Sequence, residues 1–384
     1  MSLDRHELRH RDGRRLLIYG DLRGSLADEP TPAPESSSLH KRFDRLSATW
    51  IAVSPARNAR PNAPSRAVPE ASLGVEGETV GSSCPLCPGG PEVPFSYEAA
   101  VFENRFPSLV ADPPAVPVDS RISPSQGRCE VVLYTERHDG SLASLSPREL
   151  ARLVAIWRDR AAELWADARH RYVMLFENRG RLVGATISHP HGQIYAFDHV
   201  PPLIAARAET LARHRERTGR CLSCEVVADD LAEPERTIVA SELFTVAVPF
   251  AARFPFEVHV RARRHGVGRL GDLDHRELSA LAAALRAVVL HYDALFGFEL
   301  PYMMVAQEAP PDSPDWHLAF EFLPTHRTEV LTKIRASVET ATGLFINDTL
   351  PESSARQLQV AGVESRAEEP VPEVVHLVPT ERAG

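Results

Sequence analysis

The sequence predicts an α+β chain of two tandem, related units, each combining short strands with one long amphipathic helix. Three observations carry that expectation. A Cys-x-x-Cys pair occurs twice, as Cys84/Cys87 and as Cys221/Cys224. Each pair is followed by two histidines at nearly the same interval, 51 residues from His138 to His189 and 52 from His265 to His317. Leu145-Ser-Pro-Arg148-Glu149-Leu150 is echoed by Leu273-Asp-His-Arg276-Glu277-Leu278, and each opens a stretch with apolar residues at helical spacing. A period this long means two related domains rather than a solenoid.

Residues 1–39 are polar and lack a periodic pattern, so they are expected to form a flexible arm. The first unit should then run from 40 to 200, the second from 201 to 350, and the Glu-, Pro- and Val-rich remainder, 351–384, should be a disordered acidic tail. In the first unit, strands are expected at Trp50-Ile-Ala-Val, 101–106, 130–134 and 172–178. Between the last two, Ser146 supplies an N-cap, Pro147 fits the first helical position, and Leu150, Leu153, Val154, Trp157, Ala161 and Leu164 mark a helix to about residue 168. The second unit repeats this after a polar helix near 203–217, with strands at 244–248, 256–260, 302–306 and 316–322 around a helix at about 274–295.

Composition narrows the classes. The 384 residues suit two domains or one duplicated domain, and 43% apolar with 25% charged residues describes a globular protein. A net charge of −9 argues against general binding to nucleic acid, whose phosphates need a cationic face. The longest apolar stretch, 278–296, is broken by Arg286, His291 and Asp293, so no membrane span is expected. The charged first 20 residues argue against a secretory signal. Four of five cysteines fall in Cys-x-x-Cys pairs, which indicates metal binding in a reducing, cytoplasmic setting rather than a disulfide framework.

The chemistry concentrates in His189-Pro190-His191-Gly192-Gln193. Alternate strand residues share a face, so both histidines and Gln193 are expected to line one surface. Imidazole serves equally as nucleophile or as metal ligand, and a buried pair held by carbonyls is the bland alternative. The repeated spacings propose Cys84, Cys87, His138 and His189 as one zinc site and Cys221, Cys224, His265 and His317 as a second. Each set closes a tetrahedron and leaves no position for water, so both zincs should be structural. Arg57 and Arg60, on a Pro-bounded loop, could converge on one anion.

His-Pro-His-Gly-Gln resembles the active-site motif of the galactose-1-phosphate uridylyltransferase family, in the transferase branch of the histidine triad superfamily. The hydrolase branch carries a third His where this chain has Gln193. The resemblance covers most of residues 40–350 and implies two histidine-triad-like domains, each a mostly antiparallel sheet with its long helix. It further implies that His191 attacks the α-phosphorus of UDP-glucose, that Gln193 donates to the phosphate oxygens and that Gly192 lets the backbone approach them. A hexose 1-phosphate, galactose 1-phosphate first among them, would then accept the uridylyl group.

By the same resemblance Arg57 and Arg60 bind phosphate, while Leu86, Asn104, Phe106 and Asn178 bind the nucleotide. Lys333 and Glu339 match sugar-contacting positions that the family often takes from a neighbouring subunit, which implies a homodimer. Arg105 and Val338 depart from the family pattern at the ribose and sugar contacts. Aligning the halves sets His317 on His189, Ala319 on His191 and Glu321 on Gln193, so only the first half should form a covalent intermediate. Two alternatives stand beside this reading: an adenylyltransferase or phosphorylase acting on ADP-glucose, and a catalytically silent nucleotide-binding module.

Overall fold

The computed structural model describes residues 5–9, 15–19, 40–53, 84–93, 96–116, 118, 121–239 and 241–364. Fourteen strands appear among them in chain order: β1 Arg5–Arg9, β2 Arg15–Tyr19, β3 His40–Asp44, β4 Thr49–Val53, β5 Ala100–Glu103, β6 Gly127–Leu133, β7 Tyr172–Arg179, β8 His191–Phe197, β9 Thr237–Val239, β10 Phe244–Ala247, β11 Val258–Ala262, β12 Tyr302–Gln307, β13 Ala319–Pro324 and β14 Ile346–Asn347. The helices are α1 Pro147–Ala166, α2 Pro202–Thr218, α3 Leu222–Ala232, α4 His275–Phe296, α5 Ser337–Thr342 and α6 Pro351–Glu364.

The two long helices start where their caps dictate. Ser146 Oγ accepts from the Glu149 amide while the Glu149 carboxylate accepts from the Ser146 amide, a reciprocal capping box with Pro147 inside it. Asp274 and Glu277 repeat the arrangement at the head of α4. α1 ends at Ala166, two residues before the expected limit.

Nine strands form one sheet in the order β5-β6-β8-β7-β12-β13-β11-β10-β9, and every pairing in it is antiparallel. The sequence suggested a sheet in each unit; the units instead share one, joined where β7 pairs with β12. The join removes two strand edges that would otherwise expose unpaired amides and carbonyls. Order β6-β8-β7 on one side mirrors β11-β13-β12 on the other, so the duplication is visible in the topology.

One face of the sheet carries α1 and α4 over a core of Val132, Leu153, Trp157, Leu175, Ile194, Leu281, Val288 and Phe320. The other face carries the first Cys-x-x-Cys turn, with Cys84, Leu86 and Val93 packed on Val131 and Leu133. By length and composition alone α4 is long and apolar enough to cross a membrane. Its apolar residues are used against the sheet instead, with Leu281, Leu285, Val288 and Val289 fully buried.

Three further differences concern the ends and the second cysteine pair. The tail expected to be disordered from 351 begins as α6, which buries Ala355 and Leu358 and packs Gly362 so tightly that an added Cβ would meet the His291 ring. Two apolar residues three apart on a short polar helix gave too little periodicity to detect. In the arm expected to be flexible, β1 and β2 pair as an antiparallel hairpin. Finally, Cys221 caps α3, so the second cysteine pair opens a helix where the first occupies a turn.

At the β7–β12 join, Glu177 is fully buried and accepts from the hydroxyls of Tyr134 (2.9 Å) and Tyr302 (3.0 Å). Burial pushes its carboxyl pKa up to about 7, against the pull of the two hydroxyls and of Arg179. A carboxyl raised on folding stabilises the native state below its unfolded pKa and loses that contribution as pH rises toward the folded value. Between about pH 4.5 and 7, wild type should therefore lose roughly 3 kcal/mol relative to Glu177→Gln, which has no proton to release there. Denaturant melts of both proteins across that window check it; parallel stability curves would refute it.

Candidate active site

The strand carrying the motif begins at His191, and His189 and Pro190 form a bend ahead of it. The expected single face for His189, His191 and Gln193 is therefore corrected. Proline has no amide to give a ladder, so the bend at Pro190 frees His189 from the strand alternation. His191 and Gln193 do share a face, opposite Leu133 and Val131 of β6, with Phe176 of β7 directly across from Gln193.

His189 turns into the first cysteine pair. Its Nε2–H is shared between the Thr135 carbonyl (2.8 Å) and the Tyr97 hydroxyl oxygen (2.9 Å), and Tyr97 in turn donates to the Leu86 carbonyl (2.6 Å). Those acceptors fix the tautomer and leave Nδ1 facing Cys87 Sγ at 3.6 Å. His138 brings its own Nδ1 to 3.4 Å from the same sulfur. The donor atoms of Cys84, Cys87, His138 and His189 all lie within 4.8 Å of one another, a set that could hold one tetrahedral metal ion. No disulfide competes, since all four paired cysteines are free thiols.

The second set gathers in the same way. Cys221, Cys224, His265 and His317 place their donor atoms within 4.8 Å of one another. Here His317 Nδ1–H donates to the Ala262 carbonyl (2.9 Å) and Nε2 faces Cys224 Sγ (3.4 Å), so the two halves present opposite imidazole nitrogens.

His191 has a different environment. Its Nδ1–H donates to the His189 carbonyl at 2.7 Å, which leaves the Nε2 lone pair free of the backbone. Burial lowers its pKa, so the ring stays neutral and nucleophilic at neutral pH. Gln193 is oriented by Asn104, whose Nδ2 donates to Gln193 Oε1 (3.2 Å) and whose Oδ1 accepts from the Phe106 amide (2.8 Å). With its oxygen engaged, Gln193 has its amide N–H groups to offer to an anion.

Gly192 is also required on the side of the sheet that Tyr134 occupies. A Cβ there would lie 2.5 Å from the Tyr134 hydroxyl, on the helix-covered side of the sheet, away from the face that carries His191. The glycine thus admits the Tyr134 hydroxyl.

The remaining expected residues are placed unevenly. Leu86 is buried in the cluster under the cysteine turn, and Asn178 follows Phe176 on the face of β7 that flanks Gln193. Phe106 is 82% exposed, with the Arg105 guanidinium over its ring. Arg57 and Arg60 lie outside the described residues. Lys333 and Glu339 are brought to each other: Lys333 Nζ donates to Glu339 Oε1 (2.7 Å) and to the Ile346 carbonyl (2.6 Å), and both side chains are buried.

Where the second half has Ala319 and Glu321, an ion network replaces the nucleophile. Glu321 is held by Arg207 (3.0 Å) and Arg253 (2.6 Å), and Arg253 also pairs with Glu257 (2.7 Å). Glu257, His259 and Glu321 cluster closely enough to hold a metal ion, but the Arg253 guanidinium already bridges the two carboxylates. Sequence reading missed Tyr97, Thr135 and this network. The first two act through hydrogen bonds to non-sequential partners, and no local pattern encodes those.

A doubled antiparallel unit in which only the first half carries an imidazole at the His191 position, beside a Cys₂His₂ cluster and an oriented Gln193 amide, is an arrangement suited to group transfer. Family models support and refine that class. The galactose-1-phosphate uridyl transferase N-terminal domain matches residues 30–201 and its C-terminal domain matches residues 207–365. A galactose-1-phosphate uridylyltransferase of Thermotoga maritima is 39% identical over 85% of this chain and 99% of its own length. That of Streptomyces lividans is 33% identical over 79% of this chain and 86% of its own. Among solved structures, a uridylyltransferase superposes with a TM-score of 0.71 at 27% identity, covering 85% of this chain and 99% of its own. An ADP-glucose phosphorylase from Arabidopsis thaliana has the same fold, with a TM-score of 0.68 at 24% identity over 84% of this chain and 98% of its own. The chain belongs to the galactose-1-phosphate uridyl transferase family.

Proposed function

We propose that the chain transfers a uridylyl group from UDP-glucose to galactose 1-phosphate through a covalent uridylyl-His191 intermediate. The observation that carries this reading is the bond from His191 Nδ1–H to the His189 carbonyl, which aims a neutral Nε2 lone pair outward. That lone pair attacks the α-phosphorus, and the bond to the glucose 1-phosphate oxygen breaks with the electron pair leaving on that oxygen. A phosphate oxygen of galactose 1-phosphate then attacks the same phosphorus, and the N–P bond breaks to return the imidazole. Charge builds on the equatorial phosphate oxygens in both steps, where the Gln193 amide donates.

Asn104 sets the orientation of Gln193, and Leu86, Phe106 and Asn178 line the nucleotide path. Arg57 and Arg60 neutralise phosphate, and Lys333 and Glu339 serve the sugar from a neighbouring subunit of a homodimer. For that last role the buried pair would have to open or present its edge, so light scattering under assay conditions is the first check on the dimer. Residues 40–200 form the catalytic half and 201–350 the supporting half. Zinc in both Cys₂His₂ sets would staple turn, strand end and motif together and supply no chemistry to the transfer. Free thiols in both sets suit a cytoplasmic setting. The adenylyl alternative is not favoured, because the relatives at 39% and 33% identity are both uridylyltransferases.

Incubation with UDP-glucose alone, followed by intact-mass measurement, tests the proposal. One uridylyl group per chain, discharged on adding galactose 1-phosphate, is expected. An unmodified mass with turnover still measurable would rule out the covalent route.

A further inference from the structure

We propose that Tyr134, held by Glu177 and Tyr302, is a positioning residue for His191, so that the half without a nucleophile helps aim the half that has one. This rests on the reading of His191 as the nucleophile.

Tyr134 grips the residues on both sides of His191. Its amide donates to the Pro190 carbonyl at 3.2 Å, and its hydroxyl lies against Gly192, where an added Cβ would be 2.5 Å away. The ring is immobilised edge-on against Trp157 of α1, with centroids 5.9 Å apart, and is 1% exposed. The hydroxyl therefore has one settled direction, and it is spent on Glu177 Oε2 (2.9 Å). The other carboxyl oxygen accepts from the hydroxyl of Tyr302 (3.0 Å), the first residue of β12 in the second half. Tyr302 is itself fixed, edge-on to Phe322 with centroids 5.3 Å apart and with the Arg179 guanidinium over its ring at 5.6 Å.

The chain of contacts thus runs from β12 through one carboxyl to the backbone flanking the nucleophile. A wholly apolar filling would serve stability as well or better, because burying a carboxyl is costly and its bonds only offset the cost. What the polar chain adds is direction. Two hydroxyls on one carboxyl fix the depth of Tyr134, and Tyr134 fixes Pro190 and Gly192. The His191 ring hangs between them, where β8 is paired with β6 but not yet with β7. Misplacement by about 1 Å costs an in-line displacement roughly 100-fold.

Tyr134→Phe, Glu177→Gln and Tyr302→Phe each remove polar contacts and keep the shape. Tyr292→Phe is the matched control: it is equally buried, its hydroxyl bonds the Phe256 carbonyl (2.7 Å) and not the Glu177 carboxyl, and phenylalanine keeps the ring that packs on Tyr302 (5.9 Å). Three readouts apply: the single-turnover uridylylation rate with UDP-glucose, the KM for UDP-glucose, and the His191 imidazole resonances in ¹⁵N-histidine spectra of the free protein. Tyr134→Phe and Glu177→Gln should slow uridylylation about 10- to 100-fold with KM within about twofold, and should move the His191 resonances. Tyr302→Phe should act in the same direction by about 3- to 10-fold. Tyr292→Phe should lower the melting temperature without either effect. The proposal is overturned if Tyr134→Phe and Glu177→Gln behave like the control, losing stability while rate and resonances stay put. A wild-type protein that takes up no uridylyl group would sink the nucleophile reading instead, and the spectra would still report whether Tyr134 sets the ring.

Discussion

His191→Ala is expected to take up no uridylyl group from UDP-glucose and to lose at least about 10⁴-fold in kcat, the scale of removing a covalent nucleophile. The variant should fold. His191 is only half-buried, and its one backbone bond, to the His189 carbonyl, is made at the strand entry rather than in the core. Binding of UDP-glucose should change little, since the residues proposed to hold the nucleotide are untouched. Intact-mass measurement and calorimetric titration check the two halves of this expectation separately. A variant that still turns over within tenfold of wild type would show that the imidazole is not the group that carries the nucleotide.

Loss of the proposed zinc should have the second largest effect, and the two sets should differ in kind. Cys84→Ser and Cys221→Ser each remove one thiolate from a closed tetrahedral set, and each should lower stability by several kcal/mol, since structural metal binding is folding free energy. Only Cys84→Ser should also abolish uridylylation. In the first half His189 is at once a donor of the metal set and, through its carbonyl, the acceptor that fixes the His191 ring. In the second half Ala319 stands where the first has His191, so no adduct is expected there. Metal content by mass spectrometry, thermal melts and adduct formation on both variants test the contrast. Equal loss of adduct formation at matched stability would dissolve it.

How far the sequence reached follows from which interactions are local. Helix α1 was readable from Ser146, Pro147 and Glu149, because a capping box is made within four residues and its hydrogen bonds are written in the residue types. The cysteine and histidine sets were readable because a tetrahedral ion admits few donors and the spacing recurred in both halves. The first residues of α6 were not, because Ala355 and Leu358 acquire meaning only against α4 and the strands beside it. The contact of Gly192 with Tyr134 is not legible in the motif. Tyr134 lies 58 residues earlier, and nothing in the motif names that tyrosine.

The sequence by itself determined the inventory of donors: which imidazole has a repeated counterpart and which does not, and which cysteines and histidines belong to each set. Tertiary structure alone decided the geometry that makes those groups work. Pro190 turns His189 out of the strand and into the cysteines, and the His189 carbonyl accepts the hydrogen bond from His191 Nδ1–H. The pairing of β7 with β12 fuses two units into one sheet and buries a carboxyl between two tyrosines from different halves. The reason is the same in each case: donor atoms are listed along the chain, but distances between residues far apart in it are fixed only when burial and backbone pairing are satisfied together.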